Sequence, residues 1–295
     1  MKASEIFTPG GYPNHTLVDD HLVSKQQQLI DTLDIGSMLV SISGPSKSGK
    51  TVFVKKALGT QNLLEVTGAG VQSANDLWMR VFDLLGTPVT QVQSKSSSTN
   101  VSASGKATGQ TSIIVAKGSV EGGVTIGHTG TSLTTETYAI DPLQLLKSEI
   151  GNTDFVVFID DFHYINRDVQ AEIAKQIKDA IANGCKFICA SVPYHSDDVI
   201  RGNADLRGRI FNIDFDYWDE SALKSIADKG FKLLNINPES EVVDNLVKES
   251  AGSPQLMQYL CLNSCFELNA RITCEHTLNY PNDSALLENV CKRTL

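Results

Sequence analysis

Short, uninterrupted apolar runs alternate with longer stretches of helical period up to about residue 218. Met38 to Ser43, Asn62 to Val66, Asp154 to Ile159, Phe187 to Val192 and Ile210 to Phe215 read as strands. Runs that do not alternate apolar with polar are buried on both faces, and helices between them imply a parallel sheet covered on both sides. The helical stretches are legible from their caps. Ser24-Lys25-Gln26-Gln27 has the form of a capping box, opening a helix with Leu29, Ile30 and Leu33 on one face and Gly36 at its end. Ser73 caps a helix to about Leu85, with Leu77, Val81, Leu84 and Leu85 at helical spacing and Trp78 in the core. Asp141 to Ile150 is a short helix, and Val169 to Ile181 a clear amphipathic one closed by Gly184.

From Asp219 the strand pattern stops. Glu220 to Gly230, Ser240 to Ala251 and Pro254 to Leu268 read as helices, the last with Ser253 as N-cap and Pro254 at its first position; Ser284 to Arg293 is a candidate fourth. The expected fold class is α/β: a five-stranded parallel sheet with helices on both faces over residues 1–218, then a small all-α domain over residues 219–295. Met1 to Asn14 is polar and broken by Pro9, Gly10, Gly11 and Pro13, and reads as an extended arm. Thr87 to Tyr138 is rich in Ser, Thr and Gly. It reads either as a linker or as an inserted β-hairpin, Ser112–Ala116 with Val120–Ile126, that contacts a neighbouring subunit or partner.

Composition narrows the class. In 295 residues, 41% apolar, there is ample material for a buried core. A net charge of −9 disfavours a general nucleic-acid binder while leaving room for a local basic patch. The six cysteines contain no C-x-x-C pair and read as buried free thiols. Met1 to Gly10 lacks an apolar signal segment, and no apolar run approaches the ~18 residues of a membrane span. A soluble cytoplasmic protein is expected.

The candidate chemistry begins at Gly44-Pro45-Ser46-Lys47-Ser48-Gly49-Lys50-Thr51, which fits G-x-x-x-x-G-K-[ST] at every fixed position. Such a loop wraps phosphates with successive backbone N–H groups, and glycine lets the backbone come close. Lys50 supplies a point charge, the Thr51 hydroxyl is placed for Mg²⁺, and the helix opening at Lys50 and running through Val52 to Leu58 adds its positive end. The run Phe155 to Asp161 is the second signature. A buried strand delivers Asp160 to the sheet's C-terminal edge, where it holds Mg²⁺ through water; Asp161 polarises an attacking water or serves as an N-terminal helix carboxylate. Ser191 ends the next strand and reads either as a contact to the γ-phosphate or as an ordinary strand-end serine. Arg207 and Arg209 precede the last strand. They either cap helix carbonyls or act as an arginine finger on a neighbouring subunit.

In this order the motifs resemble an AAA+ ATPase of the initiator-like (origin-recognition type) and STAND-type branch, over roughly Thr16 to Leu268. The resemblance implies ATP or ADP with Mg²⁺ between a P-loop NTPase sheet and a helical lid. It implies that Pro13 to Val18 packs on adenine, and that Gly252-Ser253-Pro254 matches the lid G-x-P motif of STAND proteins. Gln255 stands where initiator ATPases carry a sensor arginine, and Asp161 where most AAA+ enzymes have Glu, a shorter reach that implies slow turnover. The expected function is an ATP-hydrolysing switch that assembles as a homo-oligomer and controls a separate effector, in a bacterial defence-type system. The alternatives are a DNA-associated initiator or loader and a non-hydrolysing nucleotide-binding scaffold.

Overall fold

The computed structural model describes residues 1–87, 89–93, 112–116, 141–192, 206 and 208–294. Five strands form one parallel sheet: β1 (Leu39–Ser43), β2 (Leu63–Thr67), β5 (Val156–Asp160), β6 (Lys186–Ser191) and β7 (Ile210–Asp214). Their order across the sheet is β2-β5-β6-β1-β7. Counting only these five in chain order, the sheet runs 2-3-4-1-5. The registers align Ser43 with Ser191 on one side and Asp214 on the other, and Thr67 with Asp160. The C-terminal ends of β1, β5 and β6 therefore share one edge, the edge where open α/β sheets bind ligands.

Helices cover both faces, as uninterrupted apolar strands require. Ala74–Leu85, Pro142–Ile150 and Arg167–Ala182 bury one face around Leu77, Trp78, Phe162, Ile173 and Ile177. Val23–Ile35 and Lys50–Leu58 bury the other around Leu29, Phe53, Val54 and Phe158. The Trp78 indole N–H donates to Gln176 Oε1. Ser73 caps its helix, accepting from the Asp76 N–H at 3.2 Å. The capping box at Ser24 does not form: a 3₁₀ turn, Asp20–Leu22, runs straight into the helix, so Ser24 already lies inside the first turn.

The rest of the chain gathers around a separate hydrophobic cluster. Its helices are Glu220–Leu234, Ser240–Glu249, Pro254–Glu267 and Ser284–Thr294. Two features differ from the sequence expectation. Two three-residue strands, β8 (Ile236–Pro238) and β9 (Leu278–Tyr280), pair in parallel here, too short and too far apart in sequence to leave a pattern. The N-terminal segment is docked instead of extended. Ala3–Ile6 is a short helix, and Ala3, Ile6 and Phe7 are completely buried in this cluster. Phe7 packs edge-on against Phe231 with ring centroids 5.4 Å apart. Backbone hydrogen bonds hold the segment as well: the Ala3 N–H donates to the Arg271 carbonyl and the Thr273 N–H to the Met1 carbonyl, each at 2.9 Å.

In the Thr87 to Tyr138 stretch, Ser112–Ala116 (β4) is a strand, but its antiparallel partner is Val89–Gln93 (β3). The expected partner, Val120–Ile126, lies outside the described residues. No described helix is long and apolar enough to cross a membrane.

Candidate functional site

The loop between β1 and the helix Lys50–Leu58 lies at the shared sheet edge, and its glycines serve two needs. A Cβ on Gly44 would come within 2.4 Å of the Phe215 Cβ, so a bare glycine is needed for the loop to leave β1 against the end of β7. Gly49 caps the helix at φ +92°, a conformation costly for other residues. Lys50 is turned into the loop. Its ammonium donates to the carbonyls of Gly44 at 2.9 Å and Pro45 at 2.8 Å. Burial pushes its pKa down against the upward pull of Asp160 and Asp161, the balance of a cation held between a buried loop and two acids.

Thr51 donates its hydroxyl proton to Asp160 Oδ2 at 2.6 Å. Two hard oxygens from β5 and from the loop helix thus lie side by side. Magnesium is held in this way, by one or two protein oxygens with phosphates and waters completing the octahedron. Asp161 follows with a left-handed backbone, φ 55°, which Asp tolerates better than most residues, and its N–H donates to Asp160 Oδ1 at 2.9 Å. Burial and the neighbouring Asp160 raise the Asp161 pKa, opposed by His163 and Lys50.

Above this edge is a cavity of about 610 Å³. Its lining includes the loop and helix from Ser46 through Val52 to Phe53, with Asp160 and Asp161. The lining also includes Thr8 to Asp19 without Asn14 and His15, with Leu22, Gln26, Ile226 and Gln258. The volume lies in the range of small-molecule and cofactor pockets. Two buried polar atoms on its lining, Ser48 Oγ and Gln26 Nε2, have no hydrogen-bond partner among the described residues. Such atoms are rare in folded proteins and suit a wall meant to meet a polar ligand.

The helical region closes over the loop through uncharged groups. The Trp218 indole N–H donates to the Ser48 carbonyl at 3.0 Å, and the Ser253 hydroxyl to the Lys47 carbonyl at 3.4 Å. Pro254 lines the cavity beside Gly49 and Gln255. Trp218 also meets His21 edge-on at 4.5 Å. Burial lowers the His21 pKa, against the pull of Asp219.

The sequence-derived residues therefore fall into three groups. Ser46, Lys47, Ser48, Gly49, Lys50, Thr51, Val52, Asp160, Asp161 and Pro254 converge on the cavity, with the Gly44 and Pro45 carbonyls facing Lys50. Ser191 is buried at the end of β6 beside Ser43, and the cavity wall there is formed by Val192. Arg209 is exposed at the N-terminal start of β7, one strand length of about 16 Å from the loop edge. At that distance it does not belong to this chain's own cavity. Arg207 lies outside the described residues. Trp218, Gln26 and Gln258 carried no signal in the sequence, because their neighbours in space are remote in the chain.

No family model and no curated protein matches the sequence. Solved structures do match by fold. The ORC2 protein of Aeropyrum pernix, in ADPNP and ADP complexes, superposes with a TM-score of 0.60 at 12% identity, covering 98% of this chain and 71% of that one. Cdc6p of Pyrobaculum aerophilum gives 0.57 at 14% identity, over 93% of this chain and 68% of the other. The RuvB Holliday junction branch migration motor of Thermotoga maritima gives 0.51 at 14%, over 92% and 68%. The chain has the fold of an AAA+ ATPase module: a parallel sheet of order 2-3-4-1-5 followed by a helical region.

Proposed function

We propose that this chain binds ATP with Mg²⁺ and hydrolyses it as an AAA+ ATPase module of the initiator or loader kind. The carrying observation is the convergence of Lys50, Thr51, Asp160 and Asp161 beneath one cavity that the helical region overhangs. The loop from Gly44 to Thr51 would hold the phosphates, with Lys50 leaving its carbonyl partners for them. Thr51 and Asp160 would hold the metal, which neutralises charge on the phosphate oxygens when bound. Asp161 fits the role of positioning water: its raised pKa marks a carboxylate held in a partly desolvated place. Ser253 and Pro254 reach the loop backbone without a cation, which supports a lid that follows loop conformation.

The likeness to Cdc6p, to ORC2 and to a Holliday junction motor supports work on DNA as part of an assembly. A second reading, a nucleotide switch that controls a separate effector protein, is favoured by the net charge of −9. Two measurements separate them. Titration of a fluorescent ATP analogue should give binding to the wild type and none to Lys50→Ala; equal affinity removes the nucleotide site. A mobility-shift assay at low and high salt, with and without ATP·Mg²⁺, should give an ATP-dependent DNA complex, and its absence leaves the effector switch.

A further inference from the structure

Part of the cavity lining is built by a segment with no regular structure of its own, held to the lid at several points, among them the Leu17 carbonyl, which accepts from Lys229 Nζ at 2.6 Å. From Phe7, buried among the lid helices, the chain runs Thr8 to Thr16 along the cavity with Pro9, Gly10, Gly11 and Pro13 in its path. Gln258 sits one turn into the helix Pro254–Glu267, 5% exposed. Its Oε1 accepts from the Thr8 N–H at 3.2 Å, and its Nε2 donates to Thr16 Oγ1 at 2.7 Å. Thr16, 1% exposed, passes its own hydroxyl proton to the Ile6 carbonyl at 3.1 Å. A single amide therefore ties both ends of the segment to the lid helix, and Gln258 itself lines the cavity.

The chemistry of two parts of the lining divides a nucleotide between them. The loop Ser46–Thr51 has the cation and the N–H groups that phosphates need, and Thr51 with Asp160 the oxygens for a metal beside them. The rest of the lining includes Pro9, Pro13, Leu17, Val18 and Leu22, with the Gln26 amide nitrogen, which has no partner among the described residues: apolar side chains beside a free donor, suited to a heteroaromatic base. We infer that Gln258 is the positioning residue for this base-facing wall, fixing it to the lid so that a bound nucleotide spans lid and sheet. The inference rests on the nucleotide-binding reading above and names what that site uses to hold the part of the ligand beyond the phosphates. It also gives the lid a grip on the nucleotide that needs no sensor arginine. Thr16 and Gln258 form one unit: cutting Thr16 takes the acceptor from the buried Gln258 Nε2, and cutting Gln258 takes the acceptor from the Thr8 N–H and the donor from Thr16 Oγ1, which keeps only the Ile6 carbonyl.

The test compares ATP with inorganic tripolyphosphate, each with Mg²⁺, by calorimetry on the full chain. The wild type should bind ATP more tightly than tripolyphosphate. Gln258→Leu and Thr16→Val should each weaken ATP by ~10-fold, the order expected for a broken buried hydrogen-bond unit, and leave tripolyphosphate within twofold. Thr16→Ser, which keeps the hydroxyl, should restore the ratio. A purely structural role would weaken both ligands together or neither, and either result overturns the inference. Should Gln258→Leu not fold, Thr16→Val, which exchanges one hydroxyl for a methyl, decides alone. A wild type that binds tripolyphosphate as tightly as ATP removes the base-facing wall and leaves the phosphate loop standing. Binding unaffected by Lys50→Ala removes the nucleotide-binding reading itself.

Discussion

Phe7 is the residue on which the position of the N-terminal segment turns, and truncating it tests how that segment is held. Its ring is fully buried, 5.4 Å from Phe231, and sits over Gly230 in the middle of the helix Glu220–Leu234. Phe7→Ala removes a whole buried ring and leaves a cavity, which in protein cores costs about 3–5 kcal/mol. Against a total stability of about 5–15 kcal/mol, that is a large fraction. The partner position makes the reasoning sharper. Gly→Ala inside a helix ordinarily gains about 0.5–1 kcal/mol. Here a Cβ on Gly230 would lie 2.2 Å from two ring carbons of Phe7, so Gly230→Ala should destabilise instead. In the Phe7→Ala background the clash is gone and the ordinary gain should return, so the same substitution changes sign between backgrounds. Urea unfolding of the wild type, both single variants and the double variant measures all four corners. ATP affinity should fall in parallel in Phe7→Ala, because the segment anchored by Phe7 walls the cavity. A Phe7→Ala cost below about 1 kcal/mol, with Gly230→Ala stabilising in both backgrounds, would refute the docked segment and return it to the solvated arm that its polar composition suggests.

Asp161→Asn should slow ATP hydrolysis by about 10²–10⁴-fold with ATP still bound, measured as phosphate release. Because the native Asp161 pKa is raised, its ionised form costs stability above that pKa and nothing below the unfolded value. Asp161→Asn should therefore melt higher than wild type at pH 7 and lose the advantage as the solution is acidified, and a lower melting temperature at pH 7 would contradict this. Trp218→Phe keeps a ring against His21 but loses the hydrogen bond to Ser48, about 1 kcal/mol, so ATP affinity should drop roughly fivefold in calorimetry; no change would mean the lid holds the loop by its other contacts. Arg209 is too far from its own loop edge to act there, so Arg209→Ala should bind ATP without hydrolysing it and regain activity when mixed with Lys50→Ala. Full activity of Arg209→Ala alone, independent of protein concentration, would leave it an ordinary surface residue.

Local chemistry was readable from local sequence. The run from Gly44 to Thr51 announced strand, loop and helix together, because the loop needs glycines where the backbone turns or crowds and a helix must open at Lys50. Caps at Ser73 and Ser253 marked helix starts, since each side chain accepts from an N–H three residues on. Asp160 was legible because a buried apolar strand has little other reason to end in an acid. At Ser24 the same logic failed: a preceding turn had already begun the helix, and a cap motif says nothing about the residues before it.

What the tertiary structure alone decided are the contacts between residues far apart in sequence. The strand order puts β6 between β1 and β5, which brings Thr51 within 2.6 Å of Asp160 across a separation of 109 residues. Trp218 meets Ser48, Gln258 meets Thr8 and Thr16, and β8 finds β9, in each case across tens to hundreds of residues. The sequence brought Thr51 and Asp160 together through the metal that their two motifs imply, but it could place none of the other contacts, because burial in a shared core, and not local propensity, fixes which apolar faces meet. Met1 to Asn14 shows the reason most directly. Polar residues, prolines and glycines set its local preference toward an extended chain, while Ala3, Ile6 and Phe7 are buried among distant helices, the Phe7 ring where Gly230 has left room for it.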